Sequence, residues 1–184
     1  MGKIVLLFFL LLLISINLLS AQLVYAEALA GASAMPIASL PHQLDDRRVI
    51  VLKNYLETYN SPLAPYAKVF IEEADKNQLD WRLLAAISGV ESTFGHQIPY
   101  NSNNAWGWGI YGDNMIRFSS WEEAIATISG ELRVRYINQW GAKDVYQIGK
   151  FYAASKTWAQ RVDMFMRKID AFALKSPESL PISL

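Results

Sequence analysis

Glu91 is the side chain in this sequence best placed for acid–base chemistry. It falls near the end of an apolar run, Trp81 to Phe94, whose spacing predicts a helix. Leu84, Ile87 and Glu91 stand at i, i+3 and i+7, so the carboxyl shares the stripe expected to face the core. No lysine or arginine lies one turn before it, where the residues are Ile87 and Ser88, and position i+4 is Gly95. A helix C-terminus also presents negative partial charge. Burial, a missing local cation and that dipole all disfavour a carboxylate. The expectation is a carboxyl that keeps its proton near neutral pH, as a general acid does. The competing arrangement turns Glu91 outward or pairs it with a distant arginine such as Arg117.

The next segment suggests what such an acid would act on. Tyr100, Asn101, Asn103, Asn104, Trp106, Trp108 and Tyr111 set flat apolar faces beside amide donors and acceptors. Sugars have the same dual character, with C–H faces and hydroxyl edges, and these side chains suit them. Any one of the rings could equally plug the core. Glycoside cleavage usually pairs an acid with a second carboxylate. Asp113 is the only acidic residue between Glu91 and Glu122 and is the candidate partner. Glu122 and Glu123 are better explained by helix capping.

Other chemistries fail on inventory. Gly107 to Gly112 matches G-x-G-x-x-G, but an asparagine-rich loop precedes it and no helix start follows, so it is not a dinucleotide site. Its glycines instead suit close backbone approach in a hairpin. There is no H-E-x-x-H, no G-x-S-x-G and no Walker-type loop, and neither His42 nor His96 has a partner for zinc. No metal or cofactor is expected. With 17 basic and 17 acidic side chains, the chain has no electrostatic footprint for DNA or RNA. Zero cysteine excludes disulfides, thiolate metal sites and a cysteine nucleophile.

The elements that must hold these residues read as helices. Arg47 to Tyr59 carries an apolar stripe, Pro65 opens the next helix, and Asp80 is a good N-cap for Trp81 to Phe94, with Gly95 at its exit. Ser119 and Glu122 form a capping-box pair for a helix from Ser120 to about Asn138. Asp144 to Ala153 and Thr157 to Leu174 read as two more. His96 to Phe118 is the exception, where short strands or a hairpin fit better than a helix. The fold class is mainly α, with one small hairpin or loop insertion.

Residues 1–26 have the layout of a secretory signal peptide: Lys3, an apolar block from Ile4 to Ile16, then Val24-Tyr25-Ala26 before Glu27. An uncleaved N-terminal anchor is the alternative. Residues 27–45 read as a linker, 46–175 as the functional domain and 176–184 as a tail. An exported chain without a disulfide suggests a bacterial secreted or cell-envelope protein.

Val90-Glu91-Ser92-Thr93-Phe94-Gly95, closing a helix, resembles the Glu-Ser motif of bacterial lytic transglycosylases in the lysozyme-like superfamily. Asn104-Ala105-Trp106-Gly107-Trp108-Gly109 resembles the asparagine, aromatic, glycine turn of peptidoglycan endo-β-N-acetylglucosaminidases. Arg117 to Ala124 and Tyr152 to Ala159 are similar to stretches of the same enzymes, the second to the tyrosine segment that faces the catalytic acid. The likeness covers about Leu79 to Ile169. It implies a lysozyme-like helical domain whose insertion lines a cleft, with Glu91 as catalytic acid and later base. Ser92 and Tyr152 would orient it or the substrate, and Asn104, Trp106 and Tyr111 would line the sugar cleft, with Tyr100 beside them. The expected partner is a peptidoglycan glycan strand, with no nucleic acid, membrane contact only through the N-terminal segment, and a monomeric state. One departure matters: Gly107-Trp108-Gly109-Ile110 stands where the transglycosylase pattern has Gly-Leu-Met-Gln. That leaves hydrolysis and anhydro-sugar formation both open. Two further readings stand beside the enzyme: a non-catalytic peptidoglycan-binding or envelope-scaffold domain on the same fold, and a helical partner-binding protein with an exposed apolar face on Arg47 to Tyr59.

Overall fold

The computed structural model describes residues 46–109 and 115–175. The expected leader (1–26), linker (27–45) and tail (176–184), and Tyr111 and Asp113 in the insertion, lie outside the described residues. The described residues are mainly helical and contain no strand. None of their helices is long and apolar enough to cross a membrane.

Among the described residues six α-helices follow in order: α1 (Arg47–Glu57), α2 (Ala67–Lys76), α3 (Leu83–Ser92), α4 (Trp121–Glu131), α5 (Val145–Tyr152) and α6 (Trp158–Lys175). A 3-10 turn, Ala64–Tyr66, leads into α2 with Pro65 near its start. A π-helical segment, Leu132–Gln139, prolongs α4. The apolar face of α1 is covered: Val51, Leu52, Tyr55 and Leu56 are all buried. That removes the exposed stripe a partner-binding reading of this helix requires.

The expected one-sided stripe of α3 is instead a helix buried all round. Leu83 to Gly89 are consecutively buried, as is Ser92. Such a helix belongs at the centre of a domain, and α3 packs against α6, α2 and α4. Two of its boundaries differ from expectation. Asp80 does not cap α3; its Oδ1 accepts from the Arg82 N–H (3.0 Å), and α3 begins after that turn at Leu83. At the other end the chain leaves the helix through three successive left-handed residues, Thr93, Phe94 and Gly95 (φ 53°, 55° and 88°). This turn swings the Phe94 ring back beneath Gly89, where an added Cβ would lie 2.6 Å from the ring. Phe94 is fully buried against Tyr59 and Phe165, at centroid distances of 4.5 and 5.0 Å. Burying a large ring contributes a few kcal/mol, about 1.5–3 for phenylalanine. That is of the same size as the roughly 2–4 kcal/mol that Thr93 and Phe94 cost together as left-handed non-glycine residues. The helix therefore stops one residue after Glu91.

The capping box on α4 is shifted by one residue. Ser120 is the N-cap and accepts from the Glu123 N–H, while Glu123 returns its carboxylate to the Ser119 N–H and hydroxyl (both 2.6 Å). The Ser119 hydroxyl and N–H hold the Glu123 carboxyl below its ordinary range.

Candidate active site around Glu91

Four pieces of chain converge on Glu91: the end of α3, the loop 102–109, the end of α5 and the start of α6. Glu91 is half-buried. Its Oε1 accepts a 2.5 Å hydrogen bond from the Trp158 indole N–H. Its Oε2 points toward Gly107, where an added Cβ would sit 3.4 Å away. Gly107 is exposed and has φ +62°. The two oxygens are thus differentiated. Oε1 is engaged as an acceptor, and Oε2 faces the exposed Gly107. Among the described residues no lysine or arginine forms an ion pair with Glu91. Arg117, the arginine considered as its partner, donates instead to the Tyr100 carbonyl.

Trp158 reaches Glu91 because of the helix beside it. It opens α6 and is 1% exposed. Its ring lies flush on α5 at Gly149, where a Cβ would meet Trp158 Cε3 at 3.0 Å. Tyr152, the last residue of α5, stacks on the indole at 4.7 Å with the ring planes 20° apart. The Tyr152 hydroxyl donates to the Trp106 carbonyl (2.9 Å), which fixes the peptide next to Gly107. Burial pushes the Tyr152 phenol well above its ordinary range, and the nearby Glu91 and Tyr136 push the same way. Tyr152 therefore remains a neutral donor.

The loop owes its shape to residues expected to touch substrate. Asn104 is buried, and its whole amide is spent on the backbone: Oδ1 accepts from the Trp108 N–H (3.0 Å), and Nδ2 donates to the carbonyls of Trp108 (2.8 Å) and Ile116 (3.0 Å). Ser92 is buried as well. Its hydroxyl accepts from the Gly95 N–H (2.9 Å) and is within donor reach of the Ala105 and Ser88 carbonyls (2.8 and 3.0 Å). Trp106 is fully buried, with its indole N–H on the Leu84 carbonyl (2.9 Å). Asn104 and Trp106, expected to line a sugar cleft, and Ser92, expected to orient Glu91 or the substrate, are instead buried supports of the loop. Each is a polar or aromatic group taken out of water, and each is satisfied by backbone that it thereby locks. Tyr100 departs in the opposite way: at 83% exposed, it stands in solvent outside the aromatic cluster.

Of the rings at Glu91, Tyr152 was expected there and Trp158 was not. Trp108 lies 6.2 Å from Tyr152 and 6.1 Å from Tyr136, and the Arg135 guanidinium lies 6.0 Å from the Trp108 ring centre. Trp158 reads in sequence only as part of an apolar helical face. The signal that could have drawn it out is chemical: a buried indole needs an acceptor for its N–H.

A groove of about 780 Å³ lies elsewhere, with Leu83, Arg133, Ile137, Asp144 and Asp163 among its walls and without Glu91. Volume alone favours it as a site, but three of the charged groups in its walls are committed. Arg133 donates to the Asn77 and Gln78 carbonyls, Asp144 caps the Gln147 N–H, and Asp163 pairs with Arg167 and accepts from Tyr146. Glu91 remains the candidate site. No family model matches this chain, and neither does any curated protein.

Proposed function

We propose that this chain is an exported bacterial cell-wall glycosidase that cleaves β-1,4 bonds between amino sugars of peptidoglycan, with Glu91 as general acid and then base. One observation carries the reading: a half-buried carboxyl with one oxygen fixed by the Trp158 N–H and the other facing an uncovered glycine. A glycosidic oxygen seated above Gly107 would meet the protonated Oε2, and proton transfer to it would release the leaving sugar. The indole N–H then supports the carboxylate left behind. The same carboxylate can take a proton back, either from water, which leaves a reducing end, or from a hydroxyl of the substrate, which leaves an anhydro sugar.

The test is Glu91→Gln in the purified protein, assayed on insoluble peptidoglycan with mass spectrometry of the released fragments. General acid–base catalysis is worth roughly 10²–10⁴-fold, so a loss of at least about 100-fold with an unchanged melting temperature is expected. Equal fragment release by both proteins would remove Glu91 from the reaction. Binding to cell wall without fragment release by either protein would favour the non-catalytic glycan-binding domain. The two enzymatic outcomes differ by one water in the mass of the released end.

A further inference from the structure

The aromatic cluster does not stop at the catalytic carboxyl. From Tyr152 it runs outward through Tyr136 (5.7 Å) to Trp140 (4.9 Å) and on to Phe151 (5.0 Å). The inner rings are covered, but the outer two are not: Trp140 is 42% exposed and Phe151 50%. Their ring planes make an angle of 42°. Two large rings side by side in water form an apolar patch that folding alone does not require.

The backbone beneath them is unusual. Tyr136 lies in the π-helical segment, and Trp140 closes it, its N–H donating to the Arg135 carbonyl five residues back (2.9 Å). π-turns inside helices recur at functional sites. Here the wider winding sets Trp140 beside Phe151 of α5, and Arg135 of the same segment lies by Trp108. The patch is thus continuous with the Glu91 site at one end and open to solvent at the other.

We propose that Trp140 and Phe151 form an outer saccharide platform, on which a sugar ring of the same glycan strand stacks at a distance from the bond being cut. The assignment to the strand rests on the glycosidase reading of Glu91. The platform's own property is binding: C–H faces of a pyranose stack on the rings while its hydroxyls remain in water. A strand long enough to reach it is held more tightly than a disaccharide, and the chemistry at Glu91 is unaltered.

The experiment uses the full chain with Glu91→Gln, so that the glycan persists, and measures co-sedimentation with insoluble peptidoglycan. A β-1,4-linked N-acetylglucosamine tetramer, followed by tryptophan fluorescence, is the soluble probe. Trp140→Ala with Phe151→Ala should weaken both by about tenfold, close to 1.4 kcal/mol. In the otherwise unaltered chain the same pair should raise KM about tenfold and change kcat by less than about twofold, the pattern of lost uniform binding. If the double variant fails to fold, Phe151→Ala alone is read, because that ring lies half outside the core; about threefold weaker binding is then expected. Unchanged binding of either probe overturns the platform. So does a dimer in sedimentation velocity that the double variant abolishes while sugar binding is retained, since the rings then face a second copy of the chain. The two proposals fail separately. Full digestion by Glu91→Gln sinks the catalytic reading and leaves the binding result standing, whereas loss of digestion with unaltered binding in the double variant sinks only the platform.

Discussion

Trp158→Phe isolates what the indole contributes to the chemistry. The substitution keeps an aromatic ring for Tyr152 to stack on and for Gly149 to pack against, but removes the N–H that reaches Glu91 Oε1 at 2.5 Å. A hydrogen bond to a charged group is worth about 1.5–3 kcal/mol. This one strengthens as Glu91 gives up its proton, because the acceptor gains charge during the step. It therefore stabilises the transition state more than the bound substrate and appears in kcat. At about 1.4 kcal/mol per tenfold, kcat should fall by about tenfold to 100-fold, with KM within about twofold. The assay is initial-rate release of soluble fragments from peptidoglycan over a range of substrate concentrations, well below the unfolding temperature. Gly149→Ala acts one contact further out: its methyl displaces the indole without deleting the N–H, so a smaller fall in the same parameter is expected. A kcat within twofold of the parent, or a loss confined to KM, would refute the idea that the indole works through the carboxylate.

The remaining predictions concern the scaffold of the site. Because the folded chain holds the Tyr152 proton above the ordinary phenol range, above about pH 10 it binds more protons at this residue than the unfolded chain does. Stability present below that pH is lost as pH rises, and Tyr152→Phe should flatten this alkaline loss in thermal melts between about pH 8 and 11. Tyr55, raised in the same way by burial and by Tyr59, keeps the slope from vanishing. Asn104→Ala strands one N–H and two carbonyls of the loop, and should cost about 2–4 kcal/mol in denaturant unfolding; a loss under about 0.5 kcal/mol would mean that water replaces the amide.

Helices were legible in the sequence because their apolar periodicity is long and local. Their ends were less so, for reasons visible in single residues. At the start of α4, Ser119 and Ser120 offer equivalent caps; the choice falls on Ser120 because the preceding serine can then give both its N–H and its hydroxyl to Glu123. At the end of α3, Gly95 marks the exit, but the turn begins two residues earlier, with Thr93 and Phe94 left-handed and the Phe94 ring buried by the turn they make. Glu91 was legible from the unusual placement of one acid in an apolar run. Its surroundings were not. In Trp106-Gly107-Trp108, nothing local says which ring sinks and which lines the opening. That is decided by the Leu84 carbonyl, 22 residues away, which takes the Trp106 indole, and by Tyr136 and Tyr152, against which Trp108 rests.

Residues that fail to touch substrate can still set the reactivity of the one that does. Ser92, Asn104 and Trp106 are wholly engaged with backbone, and between them they tie the loop to α3 through the Ala105 and Leu84 carbonyls and close it on itself at Trp108. Those ties place Gly107 next to Oε2 at a distance where a single methyl would be in contact. Any slack in them would let the loop close over the carboxyl or retreat from it, and misplacement by about 1 Å can cost on the order of 100-fold in rate. On the glycosidase reading of Glu91, the buried indole, the committed amide and the buried serine are therefore parts of the proton-delivery geometry, although a substrate would meet none of them.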